Sequence, residues 1–176
     1  MDCAQSVGTH TKFDKFRAVL LYLLHKLKDI PHVAETVLYK HLYFIDFDYY
    51  EKYEKQLIGA TYLKNKFGPT PNEFFDWVNI MIMKGEIKKE EKPYYGRKQT
   101  KYFPLIKPGL HELEPKEIEI IDNVIKKLSN KNATQISDYS HRDVPYLAAE
   151  DGRIIEYESV FYRIAPYSVR ECDECI

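Results

Sequence analysis

The stretch Lys66-Phe67-Gly68-Pro69-Thr70-Pro71-Asn72-Glu73-Phe74-Phe75 sets one glycine and two prolines within four positions, just before an apolar run. It reads as a rigid helix entrance. Thr70 is a good N-cap, and Pro71 falls at the first helical position, where its missing amide hydrogen costs nothing. Glu73 completes a T-x-x-E capping box. Pro69 restricts Gly68 to an extended approach. The helix so predicted carries Phe74, Phe75, Trp77, Val78, Met81 and Ile82, and Gly85 stops it.

Toward the N-terminus the pattern is helical. Phe13, Phe16, Leu20, Leu23, Leu24 and Leu27 recur at helical spacing, and Asp29-Ile30-Pro31 ends the run. A second helix is predicted from about Ala34 to Lys55, with Leu38, Leu42 and Ile45 on one stripe. Tyr39, Tyr43, Phe44, Phe47 and Tyr50 fill its other positions. A helix that is apolar all round is central. Ile58 to Leu63 reads as a turn into a short extended segment.

Toward the C-terminus, residues 86–106 read as a hairpin with Pro93-Tyr94-Tyr95-Gly96-Arg97 at its tip. Three helices followed by a basic hairpin is the order of a winged-helix module. Pro115 opens a further helix with Ile118, Ile121, Ile125 and Leu128 on one face, broken by Asn130-Lys131-Asn132. Ala133 to Tyr139 and Val144 to Glu150 are shorter helical pieces. The predicted fold class is therefore mainly α (α+β), one helical domain with a small winged-helix-like hairpin.

The 176 residues are long enough for one domain with a real core. Fifteen Tyr and nine Phe accompany a single Trp. Tyr, with an apolar body and a polar tip, suits half-wet surfaces as well as cores. Net charge is −1, so no global field favours nucleic acid or membrane. Residues 1–101 carry 17 basic and 13 acidic side chains, and residues 102–176 carry 9 and 14. Patches of both signs fit a protein partner better than a phosphate backbone. No apolar run approaches a bilayer span and the N-terminus lacks signal-peptide order, so a cytoplasmic location is expected. Three cysteines, an odd number, argue against a disulfide framework.

Motifs of catalysis are sparse. Ser140-His141-Arg142-Asp143 offers a general base and an orienting carboxylate, but no G-x-S-x-G or cysteine elbow accompanies it. Asp46 and Asp48, two apart on a helix, do not share a face. Cys172-Asp173-Glu174-Cys175 has metal-ligand spacing, with Cys3 as a third thiolate, but lacks a second C-x-x-C. No Walker loop, dinucleotide fingerprint or zinc helix is present. No enzyme activity, cofactor or metal is expected. Residues 84–101 hold seven basic and three acidic side chains. Arg97, Lys98 and Lys101 with Tyr94 and Tyr95 make nucleic acid the runner-up partner.

Several segments, in order, resemble the Panacea (SocA-like antitoxin) domain of bacterial and phage toxin–antitoxin systems. Leu38 to Phe47 is similar to that family's K-L-L-Y-F-A-D-F helix, with His41 where Leu is usual. Leu57-Ile58-Gly59 with Tyr62-Leu63 is similar to its I-T-G…Y step. Lys66 to Pro71 is similar to its Y-G-P-V-P signature, with Phe67 in place of Tyr. Ile136 to His141, followed by Pro145-Tyr146, resembles its L-S-x-x-S-H…P-W segment, with Tyr146 where Trp is usual.

The resemblance implies an N-terminal extension at 1–12, the family domain at 13–165 and a tail at 166–176. Lys40, Tyr43, Asp46, Gly59, Gly68, Pro69, Pro71, His141, Pro145 and Tyr146 are then motif positions with a structural part to play. It further implies an antitoxin that neutralises an adjacently encoded protein toxin by direct binding, often in a prophage or other mobile element. Some relatives deliver the toxin to a protease as adaptors. The expected contact groups are exposed aromatics of the second helix (Tyr43, Tyr49, Tyr50, Tyr53) and the hairpin tip (Tyr94, Tyr95, Arg97), residue types favoured at interface anchors. The alternative is a winged-helix DNA-binding regulator.

Overall fold

The computed structural model describes residues 11–170. Helix α1 (Lys12–Leu27) starts at a reciprocal capping box between Thr11 and Asp14. Every residue from Ala18 to Leu24 on it is buried. Helix α2 (Glu35–Tyr53) is buried on nearly all sides, as its sequence predicts. Aromatic rings bind it to its surroundings: Phe47 stacks on Tyr157 at 4.4 Å, and Tyr43 meets Tyr62 edge-on at 5.7 Å. Such pairs each contribute about 0.5–1.5 kcal/mol beyond the area they bury.

The chain then departs from the expected course. Gly68-Pro69-Thr70-Pro71 is a strand, β2 (Gly68–Pro71), paired antiparallel with β1 (Tyr62–Asn65). Thr70 caps nothing; its hydroxyl donates to the Gly68 carbonyl at 3.3 Å. The Glu73 carboxylate accepts the Thr61 amide at 2.9 Å. Helix α3 (Phe74–Met83) begins later, with no side-chain cap. Two prolines fit a strand here because of what lies across from them. Tyr62 and Lys64, opposite Pro71 and Pro69, direct their backbone groups the other way, to residues 152–155. Pro69 and Pro71 thus occupy pairs in which no amide donation is called for.

Strands β3 (Ile87–Tyr94) and β4 (Arg97–Pro104) form the expected hairpin. After a 3-10 turn at Leu110–Glu112 comes α4 (Pro115–Leu128), with Pro115 in its first turn and a Glu114–Glu117 capping box. Helices α5 (Ala133–His141) and α6 (Val144–Ala148) follow, and a 3-10 segment, Tyr157–Tyr162, packs along α2 and α6. The architecture is mainly helical α+β, as the sequence predicts. No helix among the described residues is long and apolar enough to cross a membrane. Cys3, Cys172 and Cys175 lie outside the described residues.

Candidate functional site

Several motif residues are buried or committed to internal hydrogen bonds. The Asp46 carboxylate, fully buried, accepts the amides of Ile58 (2.7 Å) and Gly59 (3.2 Å) and the hydroxyls of Tyr62 (2.8 Å) and Tyr157 (3.2 Å). Burial pushes its pKa up, and these donors pull against that shift. Gly59, at φ +78°, makes the turn that aims its own amide inward. Pro145 is buried, and Tyr146 donates to the Asn65 carbonyl at 2.7 Å.

A second buried cluster gathers around Arg163, a residue that sequence reading passed over. Its guanidinium makes a two-pronged bond with Asp143 (2.8 and 2.5 Å) and reaches Asp48 (2.8 Å) and Glu51 (2.9 Å). Burial alone lowers an arginine's pKa, but the facing Asp48 and Asp143 hold it well above the usual value. Tyr43 donates to the same Asp143 at 2.8 Å and Lys127 to Asp48 at 2.7 Å. Asp143 is thus committed to Arg163 and Tyr43. His141 does not share it: its ring nitrogens face the carbonyls of Ser137 (2.6 Å) and Lys66 (2.9 Å). The structure brings no base–carboxylate pair together at this motif.

The expected exposed aromatics divide. Tyr43 and Tyr49 are buried, contrary to expectation, because segments C-terminal to residue 110 cover those faces of α2. Tyr50 and Tyr53 are half-buried, with Tyr50 donating to Glu158 at 3.1 Å. The hairpin tip is open. Tyr95 is 91% exposed, at φ +46°, and meets Tyr94 edge-on at 4.7 Å.

Beneath this tip runs a groove of two adjoining lobes, about 470 and 520 Å³, which share Thr36, Val37, Arg97 and Ala133. That is the size of a ligand cleft or a peptide groove. The first lobe lies between α2, α5 and the exposed ring of Phe67; the second lies under Tyr94 and Tyr95. Its walls are well anchored. Glu35 of α2 accepts the hydroxyls of Tyr39 (2.6 Å) and Tyr102, and Lys101 donates to the Pro31 carbonyl. Ser137 of α5 donates to the Phe67 carbonyl at 3.3 Å.

In the wall of the first lobe sits Lys40, only 2% exposed. It has no carboxylate within 4 Å among the described residues. Its single hydrogen bond there is a long one, 3.5 Å, to the Pro69 carbonyl. Burial lowers its pKa to about 8. The opening glycine is fitted to this side chain. Gly68 has φ +110°, and a Cβ there would lie 2.5 Å from Lys40 Cε and 2.9 Å from Ser140 Oγ. The rigid corner of β2 is therefore closed between α2 and α5, with the lysine stem beneath it.

The runner-up partner finds less. Lys88, Lys89, Lys92 and Lys98 of the hairpin each lie within 4 Å of Glu90 or Glu91. The outward face of α3, where a winged helix reads DNA, presents Phe75, Asp76, Ile80 and Met83.

The match to a family model agrees with the motifs. The model described as antitoxin SocA-like, Panacea domain, matches residues 38–145, more than half of the chain. The chain belongs to this family of antitoxin-like domains. Searches of curated proteins and of solved structures give no match. The matched span contains most of α2, both hairpins and α5, and with them Lys40, Phe67, Arg97 and the α5 side of the groove; the groove residues from His32 to Val37 precede it and Arg163 lies beyond it.

Proposed function

We propose that this antitoxin-family protein neutralises a protein toxin by binding it directly, without catalysis, through the hairpin tip and the groove below it. One observation carries the reading. Tyr94, Tyr95 and Arg97 stand together at an exposed tip over a preformed, partly apolar groove, whereas the motif side chains Tyr43, Asp46, His141 and Tyr146 are spent on internal hydrogen bonds. Tyr and Arg are the residue types that most often anchor interfaces. The absence of a His141–Asp143 pair supports the non-catalytic part of the reading.

The test is growth of a host expressing the neighbouring gene, alone and together with this protein. Arrest relieved by co-expression is the expected result, and Tyr95→Ala or Arg97→Ala should weaken the relief. A neighbour that is harmless, or toxic regardless, ends that pairing. Undiminished rescue by both variants removes the tip from the contact surface.

A further inference from the structure

The groove is lined by charges of both signs, and two of its cations lack an ion partner among the described residues. Lys40 is buried without a counter-charge, and Arg97 at the rim has no ion pair among the described residues. Two helix starts line the same space. At α2 the Glu35 carboxylate already sits in the first turn, and α5 is closed by a reciprocal Asn132–Gln135 capping box, so the anion-binding character of the groove rests on its cations. Two carboxylates face the groove. Glu35 is held by two tyrosine hydroxyls, while Asp138 lies on the α5 side. Between the charges the wall is apolar, with Val37, Ile136 and Phe67.

We infer that this groove receives an acidic segment of the partner protein, one carboxylate seated on Lys40 and Arg97 and an apolar neighbour lying against Phe67. The inference rests on the toxin-binding reading above and names the chemistry of the partner. A buried ammonium without a counter-charge is costly, and an arriving carboxylate offsets that cost while giving up one long hydrogen bond and a contact 5.9 Å from the centre of the Tyr39 ring. The lysine stem is flexible enough to swing its head from the Pro69 carbonyl toward the groove. A nucleic acid fits less well. Its string of phosphates asks for a track of free cations, and here Lys98 is taken by Glu91 at 2.5 Å.

The experiment uses the whole protein with three probes: a labelled short peptide alternating glutamate and leucine, its lysine–leucine counterpart, and a single-stranded oligonucleotide. Fluorescence anisotropy should show saturable binding of the acidic peptide at or below about 1 mM. The basic peptide should not bind. Lys40→Met, which keeps the stem and drops the charge, should weaken binding about tenfold or more, and Arg97→Ala by less. Circular dichroism on each variant checks that the fold is intact. No binding of the acidic peptide, binding indifferent to Lys40→Met, or tighter binding of the oligonucleotide overturns the inference. Toxin co-purification separates the two levels. A toxin complex untouched by Lys40→Met and Arg97→Ala defeats the groove alone, whereas no toxin complex at all defeats the antitoxin mechanism while the peptide result still stands.

Discussion

Arg163 and Lys40 are both buried cations, one bonded to carboxylates of the molecule's central helix and the other borne on that helix, yet they are treated in opposite ways. Arg163 is met by three carboxylates and held charged. Lys40, beside a groove, is met by one distant carbonyl and the Tyr39 ring, with no carboxylate within 4 Å among the described residues, and burial pushes it toward neutrality. A buried charge with full partners fastens segments together; one without them costs stability. The first arrangement belongs to a fold, the second to a place kept ready for something else.

The largest effect should come from removing the fully paired cation. Arg163→Ala leaves Asp48, Glu51 and Asp143 facing one another and should cost about 3–5 kcal/mol, with a Tm lower by about 10 °C or more in thermal denaturation. A Tm unchanged within a degree or two would mean that the cluster does not hold the C-terminal segment. Next is Gly68→Val, which puts a branched side chain at φ +110° against Lys40 and Ser140. About 3 kcal/mol should be lost, and an unaltered melting curve would refute the close packing of that corner.

His41 offers a third treatment of charge, exclusion. It is fully buried, with Nδ1 facing the Val37 carbonyl at 2.9 Å, and burial lowers its pKa from 6.5 to about 4. A depressed folded-state pKa means the stabilisation is complete above pH 6.5 and is lost as pH falls from 6.5 to 4. This should amount to about 3 kcal/mol over that window. His41→Leu should flatten that limb in denaturant titrations across pH; an unchanged limb would assign it to other groups.

Lys40→Met should move stability the opposite way from Arg163→Ala. Below pH 8 the ammonium is charged in both folded and unfolded chains, so its burial cost is constant there, and it fades as pH rises toward 10.5. Methionine should therefore raise stability by about 1–3 kcal/mol at pH 7 and by almost nothing at pH 10.5. A loss at pH 7 would show that Lys40 is better partnered than it looks. Smallest of all is Tyr95→Ala, expected within about 0.5 kcal/mol in stability because the ring is open to solvent, while neutralisation falls.

What could be read from the sequence followed local periodicity. The helical spacing of Phe16, Leu20, Leu23 and Leu27, the turn residues at Tyr95-Gly96 and the proline at 115 each announce an element without reference to anything distant. The stretch at Gly68 failed for the opposite reason. Thr70-Pro71-Asn72-Glu73 satisfies a local capping pattern, but pairing with β1 and closure against Lys40 and Ser140 decide its conformation, and those partners are remote in sequence. Tyr43 was misplaced because the chain that buries it, around Asp143 and Arg163, has little patterning. One signal for Arg163 was nevertheless present. A helix apolar enough to be central also carries Asp46, Asp48 and Glu51, and buried carboxylates require donors or a counter-ion. The groove had no such signal, since it arises from the relative placement of α2, α5 and the hairpin.

The Arg163 cluster also has a consequence in time. Asp48 and Glu51 leave the ribosome far ahead of the arginine that neutralises them, 115 and 112 residues later. Until then Glu51 stands on a helix destined for full burial with no cation to receive it, and Asp48 has only Lys127, itself 79 residues downstream. The N-terminal helices can form as they emerge, but α2 cannot settle into its final surroundings before the C-terminal segment arrives. Each newly made molecule therefore passes through an interval in which its central helix is translated but its burial is unfinished.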